Sequence, residues 1–85
     1  MQKDKKIILI SGTISGIGKY LKLNFSKKHT VIGISRKNII LKTKNYFHYK
    51  LDINNFNNMQ KTIRKIFEKF GKIDILINNA GTNVS

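Results

Sequence analysis

The strongest constraint on the fold is a glycine-rich turn that lies between a short apolar run and a helical pattern. Residues 7–10 form an unbroken apolar run that enters Ser11 directly, which is typical of a strand buried on both faces. Three glycines follow within seven residues, and apolar side chains then recur at i, i+4 and i+8 with Ile17, Leu21 and Phe25. A strand, a tight turn and an amphipathic helix in this order predict the first βα unit of an α/β sheet.

The rest of the chain continues to alternate between strand and helix patterns. Further strands are predicted over 30–35, 46–52 and 73–77. The polar stretch 36–45 predicts a loop or a short helix. Apolar strands that alternate with helices predict a parallel sheet with right-handed crossovers.

A long helix is predicted between the third and fourth strands. Asn54 or Asn55 supplies its N-cap, because a short side-chain oxygen accepts a free first-turn N–H, and Gly71 ends it. Its apolar stripe follows helical spacing and consists of Phe56, Met59, Ile63, Ile66, Phe67 and Phe70.

The basic charge of the chain admits two interpretations. Lys and Arg number 17 against 4 Asp and Glu, a formal charge of +13, which is compatible with a polyanion-binding module. However, the basic residues are scattered, and 15 Lys against 2 Arg is a weak signature for reading bases. Lys, Asn and Ile have AT-rich codons and make up 40 of the 85 residues. We therefore expect a compositional bias with a solvated basic surface, and we keep polyanion binding as the alternative.

Length and composition exclude several other classes of protein. A chain of 85 residues allows one small domain or part of a larger one, and 40% apolar residues are too many for a disordered basic tail. The absence of Cys excludes disulfides and Cys-type zinc sites, and His29 and His48 are too isolated to predict a metal site. The four-residue apolar run is far shorter than the roughly 20 residues of a membrane span. We expect a cytoplasmic protein without a membrane partner.

The glycine turn has the composition of a phosphate-binding loop. Gly12 permits a positive φ, Gly16 removes a Cβ where a pyrophosphate approaches the backbone, and Gly18 lets the helix lie close to the strand. The free N–H groups at the helix start would face the phosphates. A P-loop is excluded, because five residues separate Gly12 from Gly18 and Tyr20 cannot act as the magnesium ligand. A tight turn without a ligand is the alternative.

Three motifs in order resemble those of the short-chain dehydrogenase/reductase family. The turn is similar to the family's cofactor loop T-G-x-x-x-G-I-G, with Ser11 in place of the common Thr. Residues 78–81 match its N-N-A-G motif, and residues 51–53 are similar to the D-[VI] element that contacts adenine. The resemblance covers essentially the whole chain. It implies a truncated Rossmann-like parallel sheet of about four strands in the order 3-2-1-4, with helices on both faces. Residues 1–85 would be the N-terminal part of an NAD(P)-binding domain.

The end of the second strand indicates which nicotinamide dinucleotide is bound. A carboxylate at this position would bond the adenosine ribose hydroxyls of NAD. The chain instead has Ser35, Arg36 and Lys37, and Arg36 offers a bidentate donor for a 2′-phosphate. Basic residues are also common here in the family's NADP-preferring members. We expect NADP rather than NAD, with a solvated Arg-Lys turn as the alternative.

The resemblance assigns the remaining contacts with the cofactor. The alternative role for Asp52 is that of a helix cap. The alternative role for Asn78 and Asn79 is to form hydrogen bonds with backbone groups at the edge of the sheet. In chain order, the expected cofactor-binding residues are Gly12, Ser15, Gly16, Ile17, Gly18, Arg36, Lys37, Asp52, Ile53, Asn79, Ala80 and Gly81.

The family's catalytic residues are not found in the chain. Hydride transfer between NADP(H) and a carbonyl or alcohol uses a Ser and a Y-x-x-x-K pair downstream of N-N-A-G. Tyr46 and Lys50 have that spacing, but they fall on a predicted strand, where four residues span about 13 Å. We assign no catalytic residue and expect no turnover by the chain alone. A truncated or pseudogene-like product that at most binds a nucleotide is the alternative. The open edge of the fourth strand would favour self-association or a partner chain.

Overall fold

The computed structural model describes residues 5–12, 24–37 and 44–78. Within these residues, a helix, α1 (Phe56–Phe70), lies between the third and fourth of four strands. The strands are β1 (Ile7–Ser11), β2 (Thr30–Ser35), β3 (Tyr46–Lys50) and β4 (Ile75–Asn78). All neighbouring strands are parallel and their order is β3-β2-β1-β4, which confirms the expected sheet. Of the predicted first helix, only the end is described, with Asn24 and Phe25 in helical conformation.

The sheet has an apolar cluster on each face. Side chains alternate between the two faces along a strand, so neighbouring residues of β1 and β2 enter different clusters. One cluster is made of Leu9, Ile32, Ile34, Leu51 and Ile66, the last of which lies on α1. The other is made of Ile8, Ile10, Val31 and Tyr46, and Phe25 packs against it. Helical residues therefore pack on both faces, as expected.

Both predicted ends of α1 are confirmed. The Asn55 side chain accepts a hydrogen bond of 3.1 Å from the Asn58 N–H at the N-cap. Gly71 has a φ of +85° and donates its N–H to the Phe67 carbonyl at 2.9 Å. A left-handed residue at this place ends the helix and favours glycine.

Only part of the predicted apolar stripe of α1 packs on the sheet. Ile66 is fully buried, and Met59, Ile63 and Phe70 pack against its cluster. Phe56 and Phe67 are 69% and 48% exposed, because they lie about 80–100° around the helix axis from Ile66. With Ile53 they line an open groove along one flank of α1, which we call the outer groove. No helix in the described ranges is long and apolar enough to cross a membrane.

The fourth strand begins two residues later than predicted, because Asp74 closes the sheet at this end with its side chain. Its backbone N–H donates to the Ile7 carbonyl, and its Oδ2 accepts from the Ile7 N–H, both at 2.8 Å. Lys72 Nζ lies 3.3 Å from the same oxygen. The hydrogen bond from Ile7, with help from Lys72, lowers the pKa of Asp74 below its usual value.

Asp74→Asn is expected to make the protein less sensitive to acid. A lowered folded-state pKa means that the carboxylate stabilises the fold above its unfolded pKa, and that this contribution is lost as the pH falls through the folded pKa. Asn keeps an acceptor for the Ile7 N–H but carries no charge. The free energies of unfolding of the two proteins, measured by urea titration, should differ at neutral pH and converge in acid. A gap that stays constant with pH would contradict this account.

Candidate nucleotide-binding site

The carboxyl ends of the four strands meet at one edge of the sheet, because all the strands are parallel. Reading across the sheet from β3 to β4, this edge carries Asp52, Arg36, Gly12 and Asn78. β1 lies between β2 and β4, so the direction of the crossovers reverses at the β1–β4 pair. In open α/β sheets this switch point forms the crevice that takes ligands.

The glycine turn and the N-N-A-G motif are in direct contact at the switch point. Ser11 and Asn78 are register partners on β1 and β4, and Ser11 Oγ donates to Asn78 Oδ1 at 3.1 Å. Gly12 then turns with a φ of +69°, which confirms the expected positive φ, and donates its N–H to the Ile34 carbonyl at 2.8 Å. Two motifs 67 residues apart are thus joined at the base of the crevice.

The end of β2 presents two cations on a turn whose base is buried. Ser35 is buried, whereas Arg36 and Lys37 are exposed. Ser35 Oγ donates to the Lys37 carbonyl at 3.0 Å, and the Ser35 carbonyl accepts from the Leu51 N–H at 2.7 Å. No carboxylate stands among these three residues of the turn. The turn is therefore suited to an anionic group.

Asp52 has a structural role at the start of the loop that leads to α1. β3 ends at Lys50 rather than at Asp52, because the chain turns there. Asp52 Oδ1 accepts from the Asn54 N–H, and its carbonyl accepts from the Asn55 N–H, both at 2.9 Å. The carboxylate is exposed and retains acceptor capacity for a second donor. Ile53 is half-buried against the cluster around Ile66.

The other predicted site residues lie outside the described residues. They are Ser15, Gly16, Ile17, Gly18, Asn79, Ala80 and Gly81. Their cofactor contacts stay predictions. Tyr46 and Lys50 do lie on a strand, as expected.

A hydrogen-bonded set that the sequence reasoning missed supports the β2 turn. Tyr46 Oη lies 2.7 Å from His48 Nδ1, and His48 Nε2 lies 2.8 Å from the Lys37 carbonyl. The spacing of residues along the chain does not indicate this set, because the contact between His48 and Lys37 joins segments 11 residues apart and ends on a backbone atom. The available signal was Gly33, since a glycine inside a strand indicates a close approach. A Cβ at Gly33 would clash with the Tyr46 ring, whose Cζ would be 2.8 Å away.

Within the described ranges no three His, Asp or Glu side chains gather as metal ligands.

Comparison with known proteins identifies the family. The profile of the family described as short chain dehydrogenase matches residues 6–85. The chain belongs to this family. The 3-oxoacyl-(acyl-carrier-protein) reductase FabG of Buchnera aphidicola subsp. Baizongia pistaciae is 41% identical over 90 aligned residues, which cover 95% of this chain and 36% of the relative. The chain thus spans about a third of the length of the curated relatives that it matches.

Two solved structures show the same fold. ElxO with NADP bound is 34% identical and superposes with a TM-score of 0.77 over 88% of this chain and 34% of its own. A short chain dehydrogenase from Leptospira borgpetersenii with bound NAD+ is 25% identical and has a TM-score of 0.78, over 87% of this chain and 30% of its own. Both forms of the dinucleotide therefore occur among the structural relatives.

Proposed function

We propose that this chain is the NADP(H)-binding part of a short-chain dehydrogenase whose full activity is hydride transfer between NADP(H) and a carbonyl or alcohol. The relative FabG, by its name, reduces a 3-oxoacyl substrate, which is a carbonyl reaction of this class. When bound, the nicotinamide supplies or accepts the hydride. The residues of this chain bind and orient the dinucleotide, and we assign none of them a catalytic role.

The exposed Arg36–Lys37 pair, one strand away from the Gly12 turn, is the main support for this proposal. The two features follow neighbouring strands, β2 and β1, and so lie at the same edge of the sheet. Backbone N–H groups at a glycine turn bind a pyrophosphate, and a guanidinium with an ammonium binds a further phosphate. The chemistry of these donors fits a dinucleotide that has both groups.

NADP(H) is preferred over NAD(H) in this proposal because the β2 turn offers cations and no carboxylate. An acidic residue there would accept from the ribose 2′-hydroxyl of NAD and repel a 2′-phosphate. ElxO, with NADP bound and 34% identity, supports this preference. Asp52 and Ile53 would contact the adenine, and Asn79, Ala80 and Gly81 a ribose of the cofactor.

Titration of the purified protein with NADPH and with NADH tests the proposal. Charge-assisted hydrogen bonds contribute about 1.5–3 kcal/mol, so we expect NADPH to bind roughly 10- to 100-fold more tightly than NADH. Equal affinities for NADPH and NADH would refute the role of the β2 turn. If neither dinucleotide binds, the proposed function is refuted. A different result would favour the polyanion-binding alternative: NADPH does not bind, and a fluorescent oligonucleotide binds with an affinity that falls steeply as the salt concentration rises.

A further inference from the structure

The turn after β2 is connected to the core of the sheet by three side chains, which we call the His48 relay. It consists of Tyr46, His48 and Ser35, and it ends at the Lys37 carbonyl. The contacts are Tyr46 Oη to His48 Nδ1 at 2.7 Å, His48 Nε2 to Lys37 O at 2.8 Å and to Ser35 Oγ at 3.1 Å, and Ser35 Oγ to Lys37 O at 3.0 Å. Two side chains of neighbouring strands thus converge on one carbonyl of the turn.

The direction of each hydrogen bond follows from the carbonyl at the end of the relay. A carbonyl oxygen only accepts, so His48 Nε2 must carry the hydrogen in the contact with Lys37. In the neutral imidazole the other nitrogen is then an acceptor, and the Tyr46 hydroxyl donates to Nδ1. The relay therefore selects the Nε2–H tautomer of His48.

The relay is anchored in the core by Tyr46. Its side chain is only 8% exposed and packs with Ile8, Ile10 and Val31. Its ring fills the space above Gly33, which is the register partner of His48 on β2. Because packing fixes the position of the Tyr46 ring, the Tyr46 hydroxyl fixes the position of His48. His48 in turn fixes the position of the Lys37 carbonyl.

Building on the proposed function, we propose that His48 is a positioning residue that holds the β2 turn ready for the 2′-phosphate and so determines the preference for NADP(H). Arg36 and Lys37 are exposed, and ordering a free turn around a ligand costs conformational entropy. A turn already bonded at the Lys37 carbonyl avoids part of that cost. NADH lacks the 2′-phosphate that these two cations would bind, so its binding does not depend on the relay.

Two variants separate the two halves of the relay. In His48→Gln the amide nitrogen reaches the place of Nε2 and still donates to the Lys37 carbonyl. In His48→Asn the amide reaches only the place of Nδ1, so the contact with Tyr46 is kept and the contact with Lys37 is lost. We expect His48→Asn to weaken NADPH binding about 3- to 10-fold and to leave NADH unchanged. His48→Gln should keep more of the wild-type ratio of affinities than His48→Asn does, because it retains the donor to the Lys37 carbonyl but not the contact with Tyr46. The Tm of both variants is measured.

The results distinguish this inference from the function on which it rests. A wild-type protein without preference for NADPH overturns the NADP(H) assignment and the inference with it. If the wild-type protein prefers NADPH and the His48→Asn variant has the same ratio of NADPH to NADH affinity, the inference alone is overturned. Equal losses for both cofactors, following a lower Tm, show a structural role instead and also overturn it.

The wild-type protein gives a second test that needs no variant to fold and no cofactor. A long-range ¹H–¹⁵N spectrum of the imidazoles, recorded where they are neutral, should show His48 as the Nε2–H tautomer. His29 Nδ1 accepts from the Lys6 N–H at 3.0 Å, so His29 should show the same tautomer. An Nδ1–H signal from His48 would overturn the inference, because that tautomer cannot donate to Lys37.

Discussion

Ile66→Ala is expected to lower the free energy of unfolding by about 2–5 kcal/mol, which is a large part of the stability of so small a sheet. Ile66 is fully buried and is the α1 member of the cluster that includes Leu9, Ile32 and Ile34. Removing three methyl or methylene groups leaves a cavity between helix and sheet, because the strands are fixed by their pairing. Urea titration followed by circular dichroism measures the loss.

Phe56→Ala on the same helix is the matched control. Phe56 is 69% exposed, so its removal should change the free energy of unfolding by no more than about 0.5 kcal/mol. Equal losses at the two positions would show that α1 does not pack on the sheet through Ile66.

Arg36→Glu is expected to weaken NADPH binding about 100-fold or more and to leave NADH within about threefold of the wild type. The substitution removes a charge-assisted donor that contributes about 1.5–3 kcal/mol and adds a negative charge that repels the 2′-phosphate. The new carboxylate also offers an acceptor for the ribose hydroxyls of NADH. The preference should therefore reverse, as measured by isothermal titration with each dinucleotide.

Arg64→Glu provides the matched control, because Arg36 and Arg64 are the two arginines of the chain. Arg64 is exposed on α1 and lines the outer groove with Phe56 and Phe67. Both variants change the net charge by the same amount, so a general loss of attraction for anions would appear in both. A comparable loss of NADPH affinity in Arg64→Glu would contradict a specific contact at Arg36.

Local patterns in the sequence were sufficient for the sheet and for the ends of the helix. The bounds of β2 follow from an apolar run that is buried throughout, and Asn55 and Gly71 act through atoms of their own helix. The order of the strands came from the family motifs, and the positive φ of Gly12 from its place between strand and helix.

Contacts between distant segments account for what the sequence did not predict. The side chain of Asp74 takes the place of a backbone partner for Ile7, so β4 starts late. Phe56 and Phe67 obey helical spacing but lie beyond the width of the sheet contact. The His48 relay depends on the register that sets Gly33 beside His48, and no periodicity along one strand contains that information.

Backbone amide NMR during a titration with NADPH tests the central claim most directly, because it locates the ligand on the sheet. The claim predicts the largest shift changes at the carboxyl edge, at Gly12, Arg36, Lys37, Asp52 and Asn78. The opposite edge, at Lys6, Thr30 and Asp74, should change little. Changes concentrated at that opposite edge, or along the outer groove of α1, would contradict the claim.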